Sequence, residues 1–441
     1  MAEASDFKPP APLDRITRPI QKFLHVQASS GLLLALCASI ALIAANSPWS
    51  EEWSQLWETR LVMGLGSFSL DYPLWYWIND ALMAIFFFLV GLEIKRELVL
   101  GELRDPAARV LPIAAALGGA LTPALIYLVL HHDGPAMRGW GVPMATDIAF
   151  VVGVLALFGS RVPPALKLFL LSLAIVDDLL AVVIIAIFYS SGLDLAFLGL
   201  AALLFLGMAG LRAAGARSLV LYWVAGSLVW LCTLKSGIHP TIAGVALGLL
   251  TPANPLLPLP AVERVLRLTR ERLAGARAKE QAQLVRESSA LLNEAVSPVR
   301  RLEDALHPWV AFGIMPLFAL ANAGVPISLA AIGDPVAIAV AIALVLGKPL
   351  GILGAAALTI RMGWTRLPAE LSRGALLAGA CLSGIGFTMS LFIAGMGLPP
   401  EFLVAGKTGV LLGSLIAGAL GALLLRHYLP RPNSLAPAGS D

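Results

Sequence analysis

The chain is 441 residues long, 58% hydrophobic and only 13% charged, with a mean hydropathy of +0.82. Soluble domains are close to a quarter charged, so this composition excludes an ordinary soluble protein and describes a polytopic membrane protein. A net charge of +3 would draw an anionic partner only from a basic patch on a soluble face, and no nucleic-acid partner is expected.

Residues 1–28 are polar, carry Lys8, Arg15, Arg18 and Lys22, and read as a cytoplasmic N-terminal tail. The apolar run Ser29 to Asn46 follows. Its basic approach and the Ile43-Ala44-Ala45 end also outline a signal peptide, but the long leader and the even set of spans favour a retained first span. Further apolar runs near 74–96, 110–130, 139–158, 165–190, 193–211, 218–234, 237–250, 308–332, 335–360, 374–396 and 403–426 predict an all-α protein of twelve transmembrane helices within a membrane domain covering 29–428. With the N-terminus inside, every Lys and Arg except Arg60, Arg138, Lys235, Lys407 and Lys348 falls on the cytoplasmic side, so both termini are expected there. Lys348 stands apart, halfway along the tenth span.

Segment 47–73 contains LVMGLGSFSLDY and is expected to form a small outer β-hairpin. Segment 251–307 begins TPANPLLPLP and continues with mixed charged and apolar residues, which suits amphipathic helices in a cytoplasmic connector. The tail 429–441 has a disordered composition. Cys37, Cys232 and Cys381 lie in apolar runs at unrelated spacings, as core side chains do, and suggest neither a disulfide nor a metal framework.

The chemistry concentrates in three spans. The fifth reads LFLLSLAIVDDLLAVVIIAIFY and carries Asp177 and Asp178 at its middle, where each carboxylate costs about 2.5–3.5 kcal/mol to insert and normally faces a bundle interior or a watery path. The fourth span is interrupted by Gly141 and Pro143 just before Thr146-Asp147, with Thr146 expected to cap the continuing helix. The eleventh has a similar weak point at Gly384 and Gly386, with Ser383 and Thr388 beside them. Paired interruptions in two halves point to a midplane transport site, with spans 3–5 and 10–12 as inverted repeats and spans 4 and 11 as discontinuous crossing helices. Asp147 and Lys348 have the signs needed to offset the exposed helix dipoles, and Asp147 could equally ligate an ion.

Asp177 and Asp178 diverge by about 100° around their helix, so one can face an ion cavity while the other faces a partner such as Lys348. The carboxylates, the Thr146 hydroxyl and freed carbonyls are all oxygen donors suited to a hard monovalent cation, and protons would compete for the same oxygens.

The ordered set Asn79-Asp80, GLEIKREL (91–98), ATDIAF (145–150), IVDDL (175–179), SGIHPTIAGV (236–245), LHPWVAF (306–312), FALANAGV (318–325), GKPLGI (347–352) and GIGFTMSLFIA (384–394) closely resembles bacterial sodium/proton antiporters of the NhaA type, from about residue 25 to 428. The resemblance implies a pH-regulated, electrogenic Na⁺(Li⁺)/H⁺ antiporter of the bacterial inner membrane, working by alternating access. It implies that Asp178 and Asp177 hold Na⁺ and protons in turn beside Asp147 and Thr146, and that Lys348 pairs with Asp177 or balances the crossed helices. It further implies a pH response at Glu93, Glu97, Glu303 and His307, and a homodimer through 47–73. No cofactor and no enzymatic activity are implied; Na⁺, Li⁺ and H⁺ are cargo. Glu93 and Glu97, beside Lys95 and Arg96, also read as a plain interfacial charge cluster. Asp80 near the outer end reads as a wet carboxylate and His239, before Pro240, as a loop residue. Two features depart from the family: Asp304 replaces a His, and the 251–307 connector is long.

Two other functions fit parts of this pattern. A sodium-coupled organic-anion transporter could share the architecture, but should aim cationic groups or half-helix N-termini at its substrate. An intramembrane aspartyl protease also uses two buried Asp, but from different helices, and no Gly-x-Gly-Asp sequence accompanies either candidate.

Overall fold

The computed structural model describes residues 27–429 except 66–67, 102–103, 105–108, 191, 214–218, 256–257, 276 and 369. The expected tails at 1–28 and 429–441 therefore lie outside the described residues, save Gln27, Ala28 and Leu429. Among those described, eight helices are long and apolar enough to cross a membrane, or ten if each of two bent pairs is one span.

Helix α1 (Gln27–Ala45) turns by 115° into the surface helix α2 (Ser50–Glu58). Strands β1 (Arg60–Leu65) and β2 (Phe68–Pro73) then pair antiparallel, with Arg60 opposite Pro73 and Leu65 opposite Phe68. An exposed Arg60–Asp71 ion pair at 3.1 Å closes the ribbon's open end.

The membrane helices follow: α3 (Leu74–Leu100), α4 (Val110–Leu130), α5 (Ile148–Phe158) after the 3-10 segment Pro135–Met144, α6 (Pro164–Phe188), α7 (Leu195–Ala213), α8 (Leu219–Lys235) and α9 (Thr241–Leu250). Outside the bundle, α10 (Leu259–Leu273) and α11 (Ala278–Asn293) form a helical hairpin. The chain returns through α12 (Pro298–Asn322), α13 (Pro335–Arg361), the bent pair α14 (Arg373–Leu382) and α15 (Phe387–Gly397), and α16 (Pro400–Tyr428).

Two boundaries differ from the hydropathy reading. Helix α9 has 10 residues, about 15 Å of rise, half the thickness of a bilayer core. Gly237 at φ +80 and Pro240 hold the expected 237–250 span open until Thr241. The span expected from 308 starts as α12 at Pro298, with the Ser297 hydroxyl accepting from the Arg300 amide. Its first turns carry Arg300, Arg301, Glu303 and Asp304, so a hydropathy window misses helix that a polar cap and a proline begin. The fourth span is interrupted where Gly141 and Pro143 led the sequence to expect it, the 3-10 segment giving way to extended backbone at Ala145 before α5.

Small residues let the helices cross closely. A Cβ on Gly91 of α3 would sit 2.6 Å from the Val245 carbonyl oxygen, and one on Gly248 of α9 would sit 2.7 Å from the Gly91 Cα. With no hydrophobic driving force between helices in lipid, such backbone approach is a main source of association. Gly248→Val is expected to cost about 1–3 kcal/mol through overpacking. Thermal unfolding in detergent checks this, and an unchanged transition contradicts the close crossing.

Candidate ion site between two interrupted spans

The fourth and eleventh spans are both broken, and their breaks are hydrogen-bonded to each other. The Asp147 amide donates to the Ile385 carbonyl at 2.7 Å, and the Thr146 hydroxyl donates to the Ser383 carbonyl at 2.9 Å. Gly384 and Gly386 lie in the non-helical stretch between α14 and α15, where a Cβ on Gly386 would stand 3.0 Å from the Ala145 carbonyl oxygen. Gly141 and Pro143 lie in the 3-10 segment. There the Gly141 amide donates to the Tyr189 hydroxyl oxygen at 3.2 Å, and a Cβ would meet that oxygen at 2.6 Å. Non-helical backbone at this depth is tolerable because each break satisfies the other's polar groups.

Asp147, not the expected Thr146, caps α5. Its Oδ1 accepts from the amides of Ala149 at 3.1 Å and Phe150 at 3.3 Å. Its Oδ2 accepts from the Thr388 amide at 3.0 Å and from the Thr388 hydroxyl. Thr388 is in the first turn of α15, so one carboxylate faces two helix N-termini, each carrying about half a positive charge. This favours the dipole-compensating reading of Asp147. Thr388, expected at the weak point of the eleventh span, is thus also the partner of Asp147, a contact between spans that the sequence does not announce. Asp147→Ala is expected to cost about 1–2 kcal/mol for each lost cap and to lower the unfolding temperature more than Asp147→Asn does. Equal losses would contradict a charge-based double cap.

Asp177 and Asp178 are one residue apart in α6, yet their environments differ. Asp177 Oδ2 accepts from Lys348 Nζ at 2.8 Å, with side-chain exposures of 1% and 0%. A wide π turn, Ala343–Gly347, precedes Lys348 in α13, the kind of local irregularity that re-aims a side chain. Asp178 is 6% exposed, and its carboxylate has no hydrogen bond or ion pair among the described residues. The charged groups whose fields reach it are Asp177, Glu93, Asp147 and Lys348.

At one end of α3 a second cluster gathers. Arg96 is bonded to Glu303 of α12 and lies 4.0 Å from Glu97. Glu97 and Glu303 are each 6% exposed, and Glu93 shares the field of Glu303 and Arg96. His307 is exposed and outside this group. Among the described residues Asp304 pairs with Arg300 alone, at 3.2 Å and in the open.

At the other end Asp80 is buried, contrary to the wet reading, with His239 Nε2 3.7 Å from its Oδ1. His239 is correspondingly more than a loop residue, its Nδ1 lying 3.2 Å from the Thr241 hydroxyl. Asn79 and Asn322 exchange amide hydrogen bonds at 3.3 and 2.8 Å. Lys407 donates to the Asn322 carbonyl at 3.3 Å. Hydropathy could not find these contacts, because they join spans far apart in sequence.

Comparison with known proteins agrees with this architecture. A family model described as Na+/H+ antiporter 1 matches residues 21–425. Relatives named Na(+)/H(+) antiporter NhaA include one from Rhodopirellula baltica, 49% identical over 96% of this chain and 97% of its own length. Another, from Rhizobium meliloti, is 46% identical over 96% and 98%. Among solved structures, the sodium proton antiporter MjNhaP1 from Methanocaldococcus jannaschii matches 93% of this chain and 98% of its own with a TM-score of 0.50 at 13% identity, a likeness of fold. The chain belongs to the Na+/H+ antiporter 1 family.

Proposed function

We propose that this protein is an electrogenic secondary antiporter of the bacterial inner membrane, exporting Na⁺ and Li⁺ in exchange for protons by alternating access. The observation that carries the reading is the division between the two adjacent carboxylates: Asp177 is tied to Lys348, while Asp178 has no protein partner among the described residues. Asp178 is the primary cation ligand, with Asp177 and Thr146 beside it. The Thr146 proton is committed to Ser383, which leaves its oxygen free to accept. Asp147 offsets the charge of the two helix N-termini at the breaks, and Lys348 offsets that of Asp177.

A cation arriving at Asp178 displaces its proton, and the added positive charge weakens the Asp177–Lys348 attraction, so a second proton leaves the pair. Exchange of more than one proton per Na⁺ moves net charge. Twelve spans with both termini in the cytoplasm, inverted repeats at spans 3–5 and 10–12 and crossed broken spans 4 and 11 complete the architecture. Glu93, Glu97 and Glu303 around Arg96 are the pH-responsive cluster, and the exposed His307 of the same helix α12 as Glu303 adds a further titratable group. The hairpin within 47–73, whose Val62 and Met63 are 60% and 51% exposed, mates with a second copy. Deleting 60–73 should convert a dimeric mass in gentle detergent to a monomeric one.

The organic-anion alternative is weakened because Asp147, Asp177 and Asp178 outnumber Lys348, whose ammonium is already bound. The protease alternative needs two facing carboxylates, whereas Asp177 faces a lysine.

Everted vesicles carrying a respiration-driven proton gradient test the proposal. Added Na⁺ or Li⁺ should collapse the gradient, and K⁺ should not. Failure of Na⁺ at every pH in the neutral-to-alkaline range would sink the antiport reading.

A further inference from the structure

The α10–α11 hairpin is the largest feature that ion exchange does not use. Its base is fixed to the bundle: the Val299 amide donates to the Pro252 carbonyl at 3.2 Å, and Leu92, Ala253 and Val299 form a small buried cluster. Arg212 also donates to the Leu250 carbonyl. From this base the two helices pack mainly on each other, with the hydroxyls of Thr269 and Ser288 2.6 Å apart across the hairpin. Val262, Val265 and Leu273 of α10 are half-buried.

The other sides of α10 expose Arg264, Arg267, Arg270 and Arg272. None of these guanidinium groups is in an ion pair among the described residues. Between them Leu266 and Leu268 are 52% and 41% exposed. Arg264, Leu268 and Arg272 follow at i, i+4 spacing along one exposed stripe, so that at a membrane interface the guanidinium groups can reach phosphates while their aliphatic stems and the leucine lie toward the acyl boundary. The tether after α11 is only residues 294–297, which reach at most about 14 Å when extended. A hairpin held that close cannot diffuse away from the bilayer surface, so headgroups meet it at high effective concentration.

We propose that α10, braced by α11, docks on the anionic phospholipid headgroups of the leaflet beside the base of this connector. Positive charge near such a surface is attracted in proportion to the number of basic side chains, and the attraction is screened by salt.

The test uses the full chain in nanodiscs, which leave both membrane faces accessible. Hydrogen exchange is compared in phosphatidylcholine alone and with added phosphatidylglycerol. Amides of 259–273 should exchange about tenfold more slowly with the anionic lipid, and the difference should shrink in high salt. A variant with Arg264, Arg267, Arg270 and Arg272 changed to Gln should lose the lipid-dependent difference. Glu263→Gln with Glu271→Gln, which leaves the arginines intact, should enlarge it. Equal exchange in the two lipids would overturn the proposal, as would protection that survives the fourfold Gln change or ignores the Glu changes. The readout involves no transport, so failure here leaves the ion-exchange reading untouched.

Discussion

Lys348→Ala is expected to lower stability by about 3–5 kcal/mol, because it strands the Asp177 carboxylate without its partner in a site that excludes water. The ammonium and carboxylate are 2.8 Å apart and at most 1% exposed, so solvent cannot substitute for the lost charge. Asp177→Asn in the same background removes the stranded charge and should recover most of the loss, leaving chiefly a cavity. A double-mutant cycle read by thermal unfolding in detergent would therefore show strong coupling. Two nearly additive single losses would mean that the pair contributes little and that Lys348 acts on the helix breaks instead.

The second large effect is on transport. Asp178→Asn preserves size and removes charge at a carboxylate that has no protein partner among the described residues, so folding should survive. Loss of a buried charged partner costs about 2–5 kcal/mol, roughly 30-fold or more in cation affinity. Na⁺-driven collapse of a proton gradient should fall to background in everted vesicles at unchanged protein abundance. Asp177→Asn should lose stability as well as transport, because it strands Lys348. If Asp178→Asn exchanged normally while Asp177→Asn did not, the two roles would have to be reversed.

Much of the site was legible in the sequence because charge in an apolar run is costly. Asp147, Asp177, Asp178 and Lys348 stand out against their neighbours whatever the fold. The Asp177–Lys348 partnership was one of few ways to neutralise both groups, and the geometry has it. The helix breaks were legible from Gly141, Pro143, Gly384 and Gly386, since glycine and proline interrupt helices through backbone freedom and a missing donor.

What escaped depends on how distant segments meet. Thr146 and Asp147 are adjacent and both are able caps; the choice of Asp147 follows from a second N-terminus, at Thr388, arriving on its other oxygen. Asp80 looked wet because its own span carries it toward an end, but His239 arrives from a segment far along the chain. The early start of α12 and the shortness of α9 escaped for opposite reasons. A charged amphipathic turn is invisible to hydropathy, while an apolar run split by Gly237 and Pro240 looks longer than its helix.

In the proposed mechanism Na⁺ and protons compete for Asp178. The most direct measurement adds Na⁺ to the purified protein in weakly buffered detergent solution and follows proton release with a pH dye. Release on adding Na⁺ but not choline, abolished by Asp178→Asn, is the predicted result. Na⁺ binding without proton release, or undiminished release from the Asn variant, would contradict it.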